Sequence, residues 1–371
     1  MFTYSPYLGI DDYILEFADD PDVDPNYIFK NVDSALTVAI VTGQLGLLCL
    51  LLQNPRVDPA RLNNLALRSA VSRGEAAMVE ALLETNRCDP TLMNYQVYID
   101  AANQGHVEAL RALLKFRPLP ASYTTRFLCS IPKIRKFPQV FELCLKEFNM
   151  DPRELNPVIM GLYDSPEVMK VLLEDGRANP RADDSYVLRW ACSHGSFEVV
   201  KLLLVDGRAD PSDRRQEAIG SACMSGNLEL VKLLANDPRV NIAAGANTPF
   251  RNAVVRNSVE IVRFLLADPR VDPSDSKDTA FYTACVNGFV EIAEMLLNHP
   301  RVLRDDVNIN GRGETRVMKL HEALLSSIRT NKVDIVDFLL KKANIDPSLR
   351  NNEVLIILHL VFSASPPWVY L

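Results

Sequence analysis

Cys192, Cys223 and Cys285 are the residues that most invite a metal or redox reading, since they lie 31 and 62 residues apart, multiples of one step. Each directly follows an alanine, so each holds the same place in a recurring unit. One unit's width, on the order of 10 Å, is too far for a disulfide, and the three read as small core residues. Cys49, Cys88, Cys129 and Cys144 show no metal-ligand spacing. The histidines His106, His194, His299, His321 and His359 form no HxxxH or HExxH pair. Gly311 and Gly313 are followed neither by a helix signal nor by Lys-Ser/Thr, and no G-x-S-x-G elbow occurs. No catalytic, cofactor-binding or metal residue is therefore expected, and no cofactor.

A second candidate is a ladder of arginines: Arg56, Arg87, Arg177, Arg208, Arg239, Arg270 and Arg301. As an anion-binding stripe it would hold phosphate or carboxylate. Arg56 to Arg270 are each followed two residues later by Asp or Asn, and a stack would also bring the next unit's Asp near. The expectation is a structural ladder in a turn, worth little per pair where exposed.

The elements that carry these residues repeat. A turn signature recurs at Asp24-Pro25, Asp58-Pro59, Asp89-Pro90, Asp151-Pro152, Asn179-Pro180, Asp210-Pro211, Asp272-Pro273 and Asp346-Pro347, with Asn241 in register but lacking the proline. After the proline comes a short polar stretch, then a small-residue helix such as Leu188 to Ser193, then a glycine. A second helix follows, as in 197–205, with Val199, Val200, Leu203 and Leu204 at helical spacing. Asp-Gly or X-Pro then ends it. The inter-helix glycine recurs as Gly43, Gly74, Gly105, Gly195, Gly226 and Gly288, and Asn257 and Asn331 replace it in other copies. That exchange predicts a left-handed residue at the hairpin bend. Ala70, Ala101, Ala191, Ala222, Ala253 and Ala284 share one register on the first helix, which predicts close side-by-side stacking of hairpins.

With these motifs the chain resembles the ankyrin-repeat family. Thr248-Pro249-Phe250-Arg251-Asn252-Ala253 is close to the family's T-P-L-H-x-A, and Gly226-Asn227-Leu228-Glu229-Leu230-Val231-Lys232-Leu233-Leu234 is close to its G-H-x-E-x-V-x-x-L-L. The resemblance covers roughly residues 10 to 350, about ten copies with a half-copy at each end. It implies an all-α solenoid of stacked helix-turn-helix repeats. The period is 31 rather than the family's usual 33, the difference falling in the polar stretch, so the fingers are expected to be short. The units fall near 24–57, 58–88, 89–119, a degenerate 120–150, 151–178, 179–209, 210–240, 241–271, 272–302, 303–345 with an insertion, and a partial 346–371. Together they read as one array over 1–371. His106 stands where the family prefers histidine, a structural role.

Three places depart from the unit. Residues 120–178 put Pro132 in the alanine place, Lys136 in the glycine place and a basic cluster at Lys133-Ile134-Arg135-Lys136, with Pro138 and Pro166 at helix starts. The linker between Val302 and Leu324 is about twelve residues longer than its siblings, and Asn310-Gly311 within it is a hairpin signal. Leu355 to Phe362 is apolar all round, unlike the polar outer face of a terminal repeat.

Composition sets outer limits. The chain has 371 residues, 48% hydrophobic and 23% charged, with a net charge of −7, which disfavours a partner held by phosphate contacts. No signal peptide, no membrane-length apolar run and no N-x-S/T sequon appear, so the expectation is an intracellular protein, cytoplasmic or nuclear. The expected partner is another protein, with no nucleic acid, no membrane and no small-molecule substrate.

The surface that varies while the frame repeats lies just before each bend: Ser72-Arg73, Asn103-Gln104, Ser193-His194, Met224-Ser225, Val255-Arg256 and Val286-Asn287. The family resemblance implies that this place faces a concave groove, with Tyr186, Arg214, Arg215 and Gln216 along its finger edge. The expected function is a scaffold or adaptor that binds a protein there, and not an enzyme. One alternative is a substrate-recruiting subunit of a separate enzyme such as a ubiquitin ligase. Another is a member of an expanded repeat family with no fixed partner.

Overall fold

The computed structural model describes residues 20–26, 35–129, 131, 136–148, 150–151, 165–305, 315–343 and 345. They form two compact units, Met1–Asn179 and Pro180–Leu371. All regular elements among the described residues are α-helices. In the first unit these are α1 (Ala35–Val41), α2 (Leu45–Gln53), α3 (Arg61–Arg73), α4 (Ala76–Glu84), α5 (Leu92–Gln104), α6 (Val107–Phe116), α7 (Ala121–Cys129), α8 (Pro138–Lys146) and α9 (Pro166–Asp175). In the second they are α10 (Ala182–Ser193), α11 (Phe197–Asp206), α12 (Asp213–Ser225), α13 (Leu228–Ala235), α14 (Ala244–Val255), α15 (Val259–Leu266), α16 (Asp275–Asn287), α17 (Val290–Leu297), α18 (Arg316–Arg329) and α19 (Val333–Lys342).

Within each unit the helices alternate as expected. First helices pack on first helices, α1 on α3 on α5 and α10 on α12 on α14 on α16 on α18. Second helices form their own row, α2 to α4 to α6 to α8 to α9 and α11 to α13 to α15 to α17 to α19. The alanine column makes the close approach possible: Ala39, Ala70, Ala101, Ala191, Ala222, Ala253 and Ala284 are all fully buried. In the last described pair Ser327 takes that place, fully buried, and its hydroxyl donates to the Ala323 carbonyl at 2.7 Å. Val199, Val200 and Leu203 of α11 are buried to within 1%, and each such side chain contributes about 1.5–3 kcal/mol of transfer free energy. The bend between helices is left-handed as expected, with φ +81° at Gly226 and +58° at Asn257. The asparagine carries the small strain that glycine avoids.

The short finger has a specific form. Instead of a β-hairpin, three consecutive residues adopt left-handed dihedrals just before the first helix straightens. They are Leu62-Asn63-Asn64, Met93-Asn94-Tyr95, Asp183-Asp184-Ser185, Arg214-Arg215-Gln216 and Gly245-Ala246-Asn247, with Lys277 and Asp278 in the next unit. This single left-handed turn costs non-glycine residues energy, and a hydrogen bond to the next unit offsets it. Ser185 Oγ accepts from the Asp210 amide at 2.8 Å, Asn247 Oδ1 from the Asp272 amide at 3.3 Å and Asp278 Oδ1 from the Leu303 amide at 2.9 Å. Asn64 Nδ2 donates to the Asp89 carbonyl at 2.6 Å. In each of these four cases the bond spans 25 residues, so the third finger residue latches one hairpin to the next.

Pro138 and Pro166 open α8 and α9, and Ser165 caps the latter by accepting from the Val168 amide at 3.4 Å. Pro132, residues 133–135 of the basic cluster, the Asn310-Gly311 hairpin signal and the apolar 355–362 stretch lie outside the described residues; Lys136 is exposed.

Candidate partner-binding surface

The variable positions sit where their register places them, at the last turn of successive first helices. Ser72 and Arg73 end α3, Ser193 ends α10 with His194 capping it, Val255 ends α14 with Arg256 capping it, and Asn287 ends α16. Ser72, Arg73, Gln104, Ser193, His194, Met224, Val255, Arg256 and Asn287 are exposed; Asn103, Ser225 and Val286 are half-buried. In the second unit the packing of α12, α14 and α16 aligns Met224, Val255 and Val286. Met224 is 42% and Val255 53% exposed, so an apolar column stands open to solvent. The Arg256 guanidinium borders it and makes no hydrogen bond or ion pair to a described residue; the Arg73 guanidinium is equally unpaired in the first unit.

Next to the column lies an aromatic corner. The His194 ring stacks on Trp190 with centroids 3.7 Å apart, and Ser193 Oγ lies 2.9 Å from its Nδ1. Tyr186 is half-buried beneath the Arg189 guanidinium at 5.5 Å. Arg189 is itself buried and donates to Glu217 at 2.8 Å and to the Asp183 and Asp184 carbonyls.

Not every expected groove residue is available. Gln216 donates through Nε2 to the Arg239 carbonyl at 3.0 Å, and its Oε1 is buried without a hydrogen bond. It is a latch residue, and only Arg214 and Arg215 of that finger face solvent. Arg214 lies 3.4 Å from Asp184, whereas Arg215 has no such partner among the described residues. Ser225 Oγ donates to the Ala222 carbonyl and accepts from the Asn227 amide, so it closes the bend. The latch was the functional-frame feature missed in the sequence. Its signal was present, a polar residue six places before the recurring alanine, as Asn64, Ser185, Gln216, Asn247 and Asp278. His321 holds the same register and is 1% exposed, with neither ring nitrogen bonded to a described residue.

The arginine ladder is structural, with partners other than those expected. Arg208, Arg239 and Arg270 grip the Asp two residues earlier, not later: Asp206 at 2.8 Å, Asp237 at 2.7 Å and Asp268 at 2.7 Å. Those bonds hold each Asp below the usual carboxyl range. Several also reach back to the preceding unit's turn, Arg87 to the Val57 and Leu52 carbonyls and Arg239 to the Ala209 carbonyl. Each turn oxygen is an acceptor left over where a helix ends, which a guanidinium fork satisfies.

Cys192, Cys223 and Cys285 are fully buried, and burial pushes the Cys223 and Cys285 thiols up to about 12. Thiols so placed are neither nucleophiles nor ready ligands. Among the described residues no group of three His, Cys, Asp or Glu could hold a metal ion, and no helix is long and apolar enough to cross a membrane.

A family model described as ankyrin repeats (3 copies) matches residues 158–245, 188–276, 219–310 and 251–351, a span of just over half the chain. No curated protein matches the sequence.

Proposed function

The chain belongs to the ankyrin-repeat family, a family of protein-binding modules, and from that premise we propose that it is an intracellular scaffold or adaptor. It holds a partner protein through the groove of its second unit. The observation that carries this reading is the exposed pair Met224 and Val255, with half-buried Val286 in line, beside the unpaired Arg256 guanidinium. Apolar side chains on rigid helix ends lose little entropy on binding and cost solvation while free, which is the profile of a contact surface. The aromatic corner of Trp190 and His194 extends the column, and aromatic residues are the usual anchors of such contacts. Fixed acid–base or nucleophilic chemistry has no part in this reading.

The test is affinity capture from native extract with the full chain and with a Val255→Asp, Arg256→Glu variant. Because both positions are exposed, the variant is expected to melt as the wild type does and to lose the captured partner. A partner retained equally by both proteins would remove the groove from the account.

A further inference from the structure

One hairpin of the first unit is without charge. From Ser34 to Pro55 the sequence holds no Asp, Glu, Lys or Arg, in a chain that is 23% charged. That stretch contains α1 and α2. On the second helices of the array, two outward places soon after the bend carry charge: Glu108 and Arg111 on α6, Glu229 and Lys232 on α13, Glu260 and Arg263 on α15. Among the described residues, every second helix other than α2 has a charge at one or both of these places. In α2 they are Gly46 and Cys49, both exposed. Leu45 is 38% and Leu50 46% exposed beside them, and Val41 at the bend is 49% exposed. On one flank α2 packs against α4, and no described second helix packs on the other.

Gly46 is the informative residue of this face. Its backbone is helical, and an added Cβ would meet no atom within 4 Å. Neither a turn nor a close neighbour in the chain calls for glycine here, although glycine weakens a helix more than any residue but proline. The end of a repeat stack also normally turns a polar face outward. What a missing side chain does provide on an outer face is room for a second backbone to come close.

We propose that this face of α2 is a self-association surface, on which α2 of a second copy packs antiparallel about a two-fold axis near Cys49. Charge selects the occupant. A charged group laid on this face would be desolvated with nothing to pair it, so the complement has to be uncharged as well. That rule excludes the outward faces of the other described second helices, and α2 itself meets it. Cys49 is the midpoint of Leu45–Gln53. The axis therefore brings the two Cys49 side chains together and sets Leu50 of each copy toward Gly46 of the other. Charges of the neighbouring elements stand at the rim: Glu80 and Glu84 of α4, and exposed Asp20 and Asp22. Arg56, in the turn after α2, is committed to the Asp20 and Val23 carbonyls at 2.7 and 2.6 Å. Nine residues of helix make a contact at the low end of interface sizes, so the dimer is concentration-dependent. It uses neither Val255 nor Arg256, so this reading and the groove reading can fail separately.

The experiment is sedimentation velocity of the full chain over a concentration series through the micromolar range. Beside it runs cross-linking with a bis-maleimide that spans about 8–10 Å, the separation of packed helices. The wild type should pass from monomer to dimer as concentration rises, and should form a cross-link that Cys49→Ser removes. A Gly46→Glu, Cys49→Lys variant writes the charge pair of α13 into α2. Glutamate suits the first turn of a helix and replaces a poor helix former, so the variant is expected to melt no lower than the wild type. It should dimerise about tenfold or more weakly, the scale of a lost central contact. Added salt should leave the wild-type dimer intact or tighten it, because the rim is mainly acidic. A chain that stays monomeric throughout would leave α2 to another occupant and overturn the proposal. So would a dimer unchanged in the variant, a cross-link that survives Cys49→Ser, or a dimer that salt dissolves.

Discussion

Lys319 Nζ lies 3.0 Å from Asp278 Oδ2, and the two side chains are 3% and 2% exposed. The ammonium also donates to the Arg304 carbonyl at 2.7 Å, while Asp278 Oδ1 takes the Leu303 amide. Asp305 Oδ1 accepts the Arg316 amide at 2.5 Å. Together these bonds pin both ends of the long linker that breaks the 31-residue step.

The first prediction concerns that pair. Asp278→Ala strands a buried ammonium and should lower unfolding stability by about 3–5 kcal/mol. The double variant Asp278→Ala, Lys319→Met should lose less than the sum of the single losses, because it removes both charges. Urea unfolding of the four proteins reads the coupling; strictly additive losses would mean the pair does not act as a unit.

A second prediction separates backbone strain from steric contact at the helix bends. At Gly226 the nearest atom to an added Cβ is 3.5 Å away, so Gly226→Ala should cost only the left-handed penalty, about 1–2 kcal/mol. At Gly105, also left-handed at φ +75°, the added methyl would enter the Phe137 ring. Gly105→Ala should therefore cost more than Gly226→Ala. Equal shifts in the urea midpoint would show that the ring moves aside freely.

The turn pairs set a pH dependence. Hydrogen bonds from Arg208 and Arg239 hold Asp206 and Asp237 below the ordinary carboxyl value of 3.8. A depressed folded value means that the contribution is fully present above 3.8 and is lost as pH falls through the folded value. The wild type should thus exceed an Arg208→Gln, Arg239→Gln variant in stability by a constant margin near neutral pH. That margin should shrink only below the ordinary value of 3.8. Chemical unfolding at a series of pH values measures it, and a margin that vanished near pH 6 would point to another group.

Much of the frame was legible because it is local. Alanine at one register and Val or Leu at helical spacing record side-chain size and face, and Gly226 or Asn257 records the dihedral of its own residue. These are properties of a residue and its near neighbours, so the all-α repeat, the paired helices and the buried cysteines could be read without coordinates. The proposed binding surface was legible only by register: Val255 and Arg256 are exposed, but Ser225 and Gln216 turn inward.

What the tertiary structure alone decided is everything that crosses from one hairpin to the next. The single left-handed turn in place of a finger exists because Ser185, Asn247 and Asp278 find backbone amides 25 residues on. The turn arginines reach backward, Arg87 to Val57 and Arg239 to Ala209, because carbonyls of the turn that follows the preceding unit's second helix lie there. No local pattern carries the direction of a long side chain or the identity of its distant acceptor. Those are settled only when neighbouring units are packed and each buried polar group has to find a partner.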